Sequence, residues 1–215
     1  MKRFTLYGSP HSLPTYRVAL MLRLSGAPFS FRYVSYQKKM HKTPEFLALS
    51  RWGQVPVLVD SGRIYTQSAA IVEHLAETLG RFQGPDSATR QVVREWLYWD
   101  VDVLFPPIFN CYGVRLGERK LLPITVEPMI ADYHRRRAEA ALSVLDSHLA
   151  DRNYLCAAEP TIADLFCYGD VAFAEVCAFD LKRWTNVAGW TERVTALAGF
   201  KAPFALLAME DAELS

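Results

Sequence analysis

The sequence has neither a large excess of charge of one sign nor a long apolar run. Its formal net charge is only +1 over 215 residues, so it offers no field for nucleic acid or for an anionic membrane surface. The longer apolar stretches are interrupted by Arg23, Glu73 and Glu175, and none reaches the roughly 20 residues that span a bilayer. These absences predict a soluble protein that binds a small ligand, and neither nucleic acid nor a membrane.

Cysteine is scarce and confined to the second half of the chain. The four cysteines are Cys111, Cys156, Cys167 and Cys177. None forms a Cys-x-x-Cys pair and no His stands at metal-ligand spacing, so no metal is expected. We expect the cysteines to be small buried side chains in a reducing cytoplasm. The apolar start of the chain is broken at Gly8 and Pro10, too early for a signal peptide, so export is not expected.

The pattern changes near residue 80. Up to Leu79 short β-like and helical patterns alternate, whereas beyond Pro85 helical periodicity runs almost to the end. Gly and Pro punctuate the stretch between them. We therefore predict an α/β domain over 1–80, a linker over 81–88 and an all-helical domain over 89–215.

The first domain is predicted to have the order β-α-β, connection, β-β-α. The strands are predicted at Arg3–Tyr7, Phe29–Val34, Val57–Val59 and Arg63–Tyr65, with helices over Pro14–Ser25 and from Ser68 to Gly80. The turn Asp60-Ser61-Gly62 would pair the last two strands as an antiparallel hairpin. This order is that of a thioredoxin-like domain.

In the second domain, helical periodicity predicts five helices. They are expected over 89–116, 125–149, 161–178, 187–197 and 201–209. The sequence Phe105-Pro106-Pro107 should kink or break the first of them. Thr161 and Asp164 are spaced as a capping box, which stabilises a helix start and needs no catalytic explanation.

Two hydroxyls follow the first strand. Ser12 immediately precedes a helix, so it either caps that helix or reaches a ligand at the positive helix end. Ser9 is a competing candidate because it also follows the strand. The helix start favours Ser12.

Three further segments carry candidate binding residues. Val55 precedes Pro56, whose peptide bond is either cis, which would turn the Val55 backbone toward a peptide-like ligand, or trans at the start of an edge strand. Gln67 and Ser68 open a helix, where they either cap it or clamp the carboxylate and ammonium of an α-amino acid.

The third segment is the polar connection before Pro44. Its side chains His41 and Lys42 would hold a second carboxylate, with a neutral hydrogen bond from Gln54. The alternative for this charged stretch is a solvated loop.

Five motifs follow one another over essentially the whole chain. They are Leu6-Tyr7-Gly8 with Ser12 and Arg17-Val18, His41-Lys42-x-Pro44-Glu45-Phe46-x-Ala48-Leu49, Gly53-Gln54-Val55-Pro56-Val57-Leu58, Gln67-Ser68-x-Ala70-Ile71, and Thr161-x-x-Asp164. Their order and spacing resemble those of bacterial-like, serine-type cytosolic glutathione S-transferases. The resemblance implies a thioredoxin-like N-terminal domain, an all-helical C-terminal domain, glutathione as co-substrate and a homodimer.

Carried over by position, the resemblance assigns a role to each motif. Ser12 would hydrogen-bond the glutathione sulfur. Val55 and a cis Pro56 would bind the cysteinyl backbone, Gln67 and Ser68 the γ-glutamyl end, and His41, Lys42 and Gln54 the glycyl end. The thiolate would then attack a hydrophobic electrophile.

Two departures from the family pattern bear on these roles. Gln67 stands where many members have Glu, which predicts a weaker contact with the ammonium. No Cys lies near the first helix, which disfavours thiol transfer through a mixed disulfide.

The electrophile is expected between the domains, against aromatic residues of the second half. The candidates are Phe105, Phe109 and Tyr112, for which core packing is the alternative. Other readings are a glutathione-dependent peroxidase, isomerase or dehalogenase, and a non-catalytic dimer that binds glutathione or another ligand.

Overall fold

The computed structural model describes residues 2–120 and 125–214. It divides into two compact units. The sheet unit comprises the chain up to Gln83 together with the C-terminal segment, which begins at Leu197, and the helical unit comprises Gly84–Ala196. The break between Gln83 and Gly84 falls within the segment 81–88.

The sheet unit contains a sheet covered by helices. Its elements up to Gln83 are β1 (Phe4–Gly8), α1 (Leu13–Leu24), β2 (Phe29–Tyr33), a 3₁₀ turn (Met40–Lys42), α2 (Pro44–Leu49), β3 (Val57–Asp60), β4 (Arg63–Thr66) and α3 (Ser68–Leu79). β1 pairs with β2 in parallel and with β3 antiparallel, and β3 pairs antiparallel with β4. The predicted β-α-β and β-β-α order is therefore confirmed.

α1 is the central helix of this unit. Ser12 is its N-cap, Pro14 lies in its first turn, and it ends just before Gly26 at φ 66°. Most of its side chains are buried. Burial on nearly every face is what the largely apolar sequence of this helix predicts.

The helical unit consists of α4 (Ser87–Trp99), a π-helical turn (Asp100–Leu104), α5 (Phe105–Glu118), α6 (Pro128–His148), α7 (Ile162–Ala174) and α8 (Thr185–Thr195). The π turn lies directly before Phe105-Pro106-Pro107, where the sequence predicted a kink, because the proline pair cannot supply main-chain donors to the preceding turn. The capping box of Thr161 and Asp164 is present.

The C-terminal segment differs from its prediction. Instead of one helix over 201–209 it contains a short α9 (Pro203–Leu206) and a strand β5 (Ala212–Leu214). β5 pairs antiparallel with β2, so the five-stranded sheet has the order β4-β3-β1-β2-β5. The edge strand β2 offers unpaired main-chain N–H and C=O groups, and β5 pairs with them.

The fold class is therefore as predicted, with a thioredoxin-like sheet domain and a helical domain. The predicted helical stretch 89–215 needs one correction, because its last part packs with the sheet unit. Across the residues that the structure describes, no helix combines the length and hydrophobicity needed to cross a membrane.

Candidate functional site

The register of the sheet brings three candidate segments to one end of it. Tyr7 on β1 lies opposite Val57 on β3, and Val57 lies opposite Thr66 on β4. The turn after β1, the residues before β3 and the residues after β4 therefore all leave the sheet at this end. Neighbouring strands are about 4.8 Å apart, so β1 and β4 are separated by about 10 Å here.

Two helices begin at this same end of the sheet. β1 and β4 are both antiparallel to β3, so they run in the same direction. α1 follows the first of them and α3 the second. Their N-termini, which carry partial positive charge and main-chain N–H donors, are thus suited to bind anionic groups.

Ser12 lies at the N-terminus of α1. Its Oγ accepts a hydrogen bond from the Thr15 main-chain N–H at 3.2 Å, and the residue is 6% exposed. A hydroxyl can accept one hydrogen bond and donate another. The Ser12 hydroxyl can therefore cap the helix and still donate its hydrogen to a ligand.

Ser9 instead shapes the turn that leads to this helix. Its Oγ accepts from the His11 N–H at 3.3 Å, and its carbonyl oxygen accepts from the Ser12 N–H at 3.0 Å. Its own N–H donates to the Thr15 Oγ1 at 3.4 Å. Ser9 thus holds Ser12 in place from inside the turn.

Thr15 is a structural residue of this site that motif reading did not single out. Its main chain bonds Ser12, its hydroxyl bonds Ser9, and its methyl group lies against Gly8. A threonine in a helix carries no sequence signal for this role, because the contacts depend on where β1 ends relative to α1.

The Val55–Pro56 peptide bond is cis. The Val55 side chain is buried in a cluster with Val34, Phe46 and Val57, against which Tyr7 also packs. This cluster fixes the segment before β3 to the ends of β1 and β2. The Val55 main chain is therefore held at the same end of the sheet as Ser12.

Gln67 and Ser68 lie at the start of α3. Gln67 adopts φ 69° and ψ 114°, outside the regions that residues other than glycine favour. Such a conformation persists where the surrounding structure imposes it, and it is common in ligand-binding segments. The Gln67 side chain is exposed and does not cap the helix, while the half-buried Ser68 is the first helical residue.

The connection before α2 approaches the segment before β3. A Cβ on Gly53 would lie 2.9 Å from the His41 carbonyl oxygen and 3.1 Å from the Lys42 Nζ. Gln54 follows directly, with its main-chain N–H donating to the Ser50 Oγ at 3.2 Å. The structure thus brings His41, Lys42 and Gln54 together.

His41 is positioned as a neutral group beside a charged one. Its ring packs edge-on against Tyr36 with 4.8 Å between centroids. Burial and the nearby Lys42 ammonium lower the pKa of His41. Its Nδ1 is buried with no hydrogen-bond partner in residues 2–120 and 125–214, so the positive charge of this group of residues comes from the exposed Lys42.

The aromatic candidates of the helical unit separate into two kinds. Phe105 and Phe109 pack ring against ring at 5.3 Å, and Phe109 is 47% exposed. Tyr112 is 2% exposed and packs edge-on against Phe173, and burial raises the pKa of Tyr112 to about 12. Tyr112 therefore belongs to the core, which corrects its selection as a contact for the second substrate.

The cysteines are free thiols, and Cys111, Cys167 and Cys177 are buried. Burial raises the pKa of Cys111 to about 11 and the pKa of Cys156 and Cys177 to about 12. Cysteines with a pKa this high are poor nucleophiles at neutral pH, because the thiolate is the reactive form. In the described parts of the chain, no three His, Cys, Asp or Glu side chains are grouped as metal ligands.

Fold and site together define a thioredoxin-like protein with two helix N-termini at one end of its sheet and a helical second unit. Residues 11–78 match the glutathione S-transferase N-terminal domain, and residues 69–193 match the glutathione S-transferase C-terminal domain. The chain belongs to the glutathione S-transferase family.

Individual relatives agree with this assignment. Human glutathione S-transferase theta-2 is 29% identical over 196 residues, which cover 87% of this chain and 79% of the relative. Glutathione S-transferase 3 of Zea mays is 32% identical over 167 residues, covering 76% and 75%. The crystal structure of a glutathione S-transferase from Xanthobacter autotrophicus Py2 superposes with a TM-score of 0.85 at 31% identity, covering 94% of this chain and 98% of that one. The chain is thus a glutathione transferase, and the other readings are not favoured.

Proposed function

We propose that this transferase activates the thiol of glutathione at Ser12 and joins its sulfur to a hydrophobic electrophile. The observation that carries the proposal is the position of the Ser12 hydroxyl, at the N-terminus of α1 and at the sheet end where α3 also begins. A hydroxyl donor and a positive helix end then act on the same sulfur.

Activation is needed because a free thiol has a pKa of about 8.5, which leaves only a few per cent as thiolate at neutral pH. The Ser12 hydroxyl donates to the sulfur anion, and the end of α1 favours negative charge. A lowering of about two pH units in the thiol pKa corresponds to roughly 2.7 kcal/mol. Ser12 acts as a donor, since an ordinary alcohol is a poor base.

The rest of glutathione is assigned to the segments around Ser12. The Val55 and Pro56 main chain binds the cysteinyl residue, and Gln67 with Ser68 binds the γ-glutamyl carboxylate and ammonium. What supports this is that the segment before β3 and the start of α3 lie at the same end of the sheet as Ser12, on neighbouring strands only about 4.8 Å apart.

The glycyl carboxylate is assigned to the group formed by His41, Lys42 and Gln54. Lys42 supplies the charge, while the neutral His41 ring and the exposed Gln54 amide supply hydrogen-bond donors. The Lys42 Nζ lies 3.1 Å from the position that a Cβ on Gly53 would take, which supports this assignment because the ammonium is next to the segment that precedes Val55.

For the second substrate we propose an electrophilic carbon on an apolar compound that contacts Phe105 and Phe109. The sulfur anion forms a bond to that carbon. Either a leaving group departs with the electron pair of its own bond, or a conjugated double bond accepts the pair and is then protonated. The exposed ring of Phe109 supports an apolar substrate.

We also propose that the protein acts as a homodimer in the cytoplasm and needs no metal. Family membership supports the dimer. Four cysteines that are all free support a reducing compartment.

The experiment is an ultraviolet difference titration of glutathione bound to the protein, which follows thiolate absorbance against pH. We expect a bound-thiol pKa well below the free value in the wild type and a clear rise in Ser12→Ala. Ser25→Ala, at the opposite end of α1, is the matched control and should behave as wild type. A shifted pKa that survives in Ser12→Ala but is lost in Ser9→Ala would transfer the role to Ser9.

A screen of electrophiles completes the test. Conjugation of a chloronitrobenzene is expected, with a rate that falls in Ser12→Ala much more than glutathione affinity does. Hydroperoxide turnover without conjugation, or binding without turnover, would contradict the proposal.

A further inference from the structure

The C-terminal segment is anchored along α1. The Tyr16 hydroxyl donates to the Lys201 carbonyl oxygen at 3.0 Å, and the Arg23 Nε donates to the Gly199 carbonyl oxygen at 3.0 Å. Tyr16 and Arg23 are seven positions apart, so they lie on the same face of the helix. This face holds the first residues of the segment in place.

The far end of the segment is anchored to β2. The Tyr33 main-chain N–H donates to the Asp211 Oδ1 at 2.8 Å, and the Ser30 hydroxyl donates to the Glu213 Oε2 at 2.6 Å. Arg32 adds an ion pair with Glu213 at 2.9 Å. The stretch between residues 201 and 211 is therefore held at both of its ends.

Phe204 lies between these anchors and contacts the turn that carries Ser12. Its ring packs on the His11 ring with 5.5 Å between centroids and 54° between planes. Tilted aromatic pairs of this kind are attractive beyond the area they bury. Buried Leu206 and Leu207 follow Phe204, which is itself 50% exposed.

His11 connects this contact to Ser12. The His11 N–H donates to the Ser9 Oγ, and Ser9 in turn accepts from the Ser12 N–H through its carbonyl oxygen. A change in the position of the His11 ring is thus transmitted through one short turn to the N-cap of α1.

We propose that Phe204 is a positioning residue for the Ser12 hydroxyl, acting through the His11 ring, and that the anchored C-terminal segment exists in part to hold it there. The inference rests on the proposed role of Ser12. Positioning matters because a misplacement of about 1 Å at a reacting group can cost up to about 100-fold in rate.

The test compares Phe204→Ala, Phe204→Tyr and the control Met209→Ala. Met209 lies in the same segment and is 63% exposed. For each variant we would measure the pKa of the bound glutathione thiol, kcat, the glutathione KM and the Tm. A loss of packing alone would lower the Tm without changing the thiol pKa.

For Phe204→Ala we expect the thiol pKa to rise by about half a pH unit, and the rate below that pKa to fall about threefold. The glutathione KM should change little, because the γ-glutamyl and glycyl contacts lie elsewhere. Phe204→Tyr keeps the ring and should restore wild-type values, and Met209→Ala should match wild type.

The two proposals fail in different ways. A wild-type protein with no lowered thiol pKa would overturn the proposed role of Ser12. A wild-type protein with a lowered pKa that Phe204→Ala leaves unchanged would overturn the role of Phe204 alone. A Phe204→Ala variant with a changed KM and an unchanged thiol pKa would also overturn it.

Discussion

The methyl group of Thr15 occupies the space that a side chain on Gly8 would need. A Cβ built on Gly8 would lie 2.2 Å from the Thr15 Cγ2 and 2.8 Å from its Oγ1. Since non-bonded carbons cannot approach so closely, β1 can end against α1 only with glycine at this position. The same threonine braces the turn that carries Ser12, because its main-chain N–H donates to the Ser12 Oγ and its hydroxyl oxygen accepts from the Ser9 N–H.

The first prediction is that Gly8→Ala destabilises the sheet unit and displaces Ser12. Overpacking of this kind costs about 1–3 kcal/mol. The free energy of unfolding in urea and the bound-thiol pKa should both change. The double variant Gly8→Ala with Thr15→Ala should recover part of the loss, because the clashing atoms are gone. Strictly additive effects of the two substitutions would contradict the account.

A second relationship lies at the opposite end of the sheet. The Arg3 guanidinium donates to both carboxylate oxygens of Asp60 at 2.7 and 3.0 Å. His74 and Ser61 also contact this carboxylate at 3.0 Å. Despite its burial, these contacts lower the pKa of Asp60 to about 2, with Arg3 as the largest cause.

The second prediction is a loss of stability in acid. The pKa of Asp60 is lower in the folded chain than the usual value of about 3.9 in an unfolded one. Its contribution is therefore complete above about pH 4 and is lost as the pH falls toward about 2. Asp60→Asn should be less stable than wild type at pH 6, and the difference should shrink as the pH is lowered. Urea midpoints measured from pH 6 to pH 2 check this, and a constant difference would contradict it.

Asp164 is a buried carboxylate of the helical unit that accepts four hydrogen bonds. It accepts from the Leu155 N–H at 2.8 Å, the Trp190 Nε1–H at 3.0 Å, and the Thr161 N–H and hydroxyl at 2.8 and 3.1 Å. Burial raises the pKa of Asp164. One buried side chain thus joins the start of α7, the loop before it and α8.

The third prediction is that Asp164→Ala destabilises the protein by about 3 kcal/mol or more, because each buried donor left without an acceptor costs about 1–3 kcal/mol. The matched control is Asp132→Asn, which removes an exposed ion pair with Arg136 and should cost less than about 1 kcal/mol. Denaturant unfolding measures both. Equal losses in the two variants would mean that the Asp164 contacts contribute no more than a surface pair.

The sequence was sufficient for those parts of the fold that depend on local patterns. Alternation predicted β1 and β2, and the turn Asp60-Ser61-Gly62 predicted the hairpin of β3 and β4. The residues around Pro14 and Gly26 predicted the limits of α1, and Thr161 with Asp164 predicted the start of α7. The structure adds the sheet register, which shows that Ser12, Val55 and Ser68 come from neighbouring segments at one end of the sheet.

The parts that the sequence did not predict depend on distant contacts. β5 pairs with β2, which is far from it in the chain, and Ser30 and Arg32 of β2 bind its Glu213. A three-residue strand also has no periodicity to detect. Tyr112 was selected because it is aromatic, whereas its burial against Phe173 depends on how α5 and α7 pack. Thr15 and Phe204 have no signal in the sequence for the same reason.

The last prediction concerns Ser68 and its matched control Ser87. Each is the first residue of an α-helix, α3 in the sheet unit and α4 in the helical unit. If Ser68 binds the γ-glutamyl carboxylate, Ser68→Ala removes a hydrogen bond to a charged group, which is worth about 1.5–3 kcal/mol. The glutathione Kd should therefore rise roughly tenfold or more. Ser87→Ala changes the same helix position without touching the site, and its Kd should equal that of wild type. Calorimetric titration with glutathione measures the Kd, and thermal unfolding shows whether the two variants lose similar stability.

An unchanged Kd in Ser68→Ala would remove this residue from the site, and equal rises in both variants would indicate that general stability controls binding. Activity at saturating glutathione gives a further check, since a binding role should raise KM while leaving kcat close to wild type.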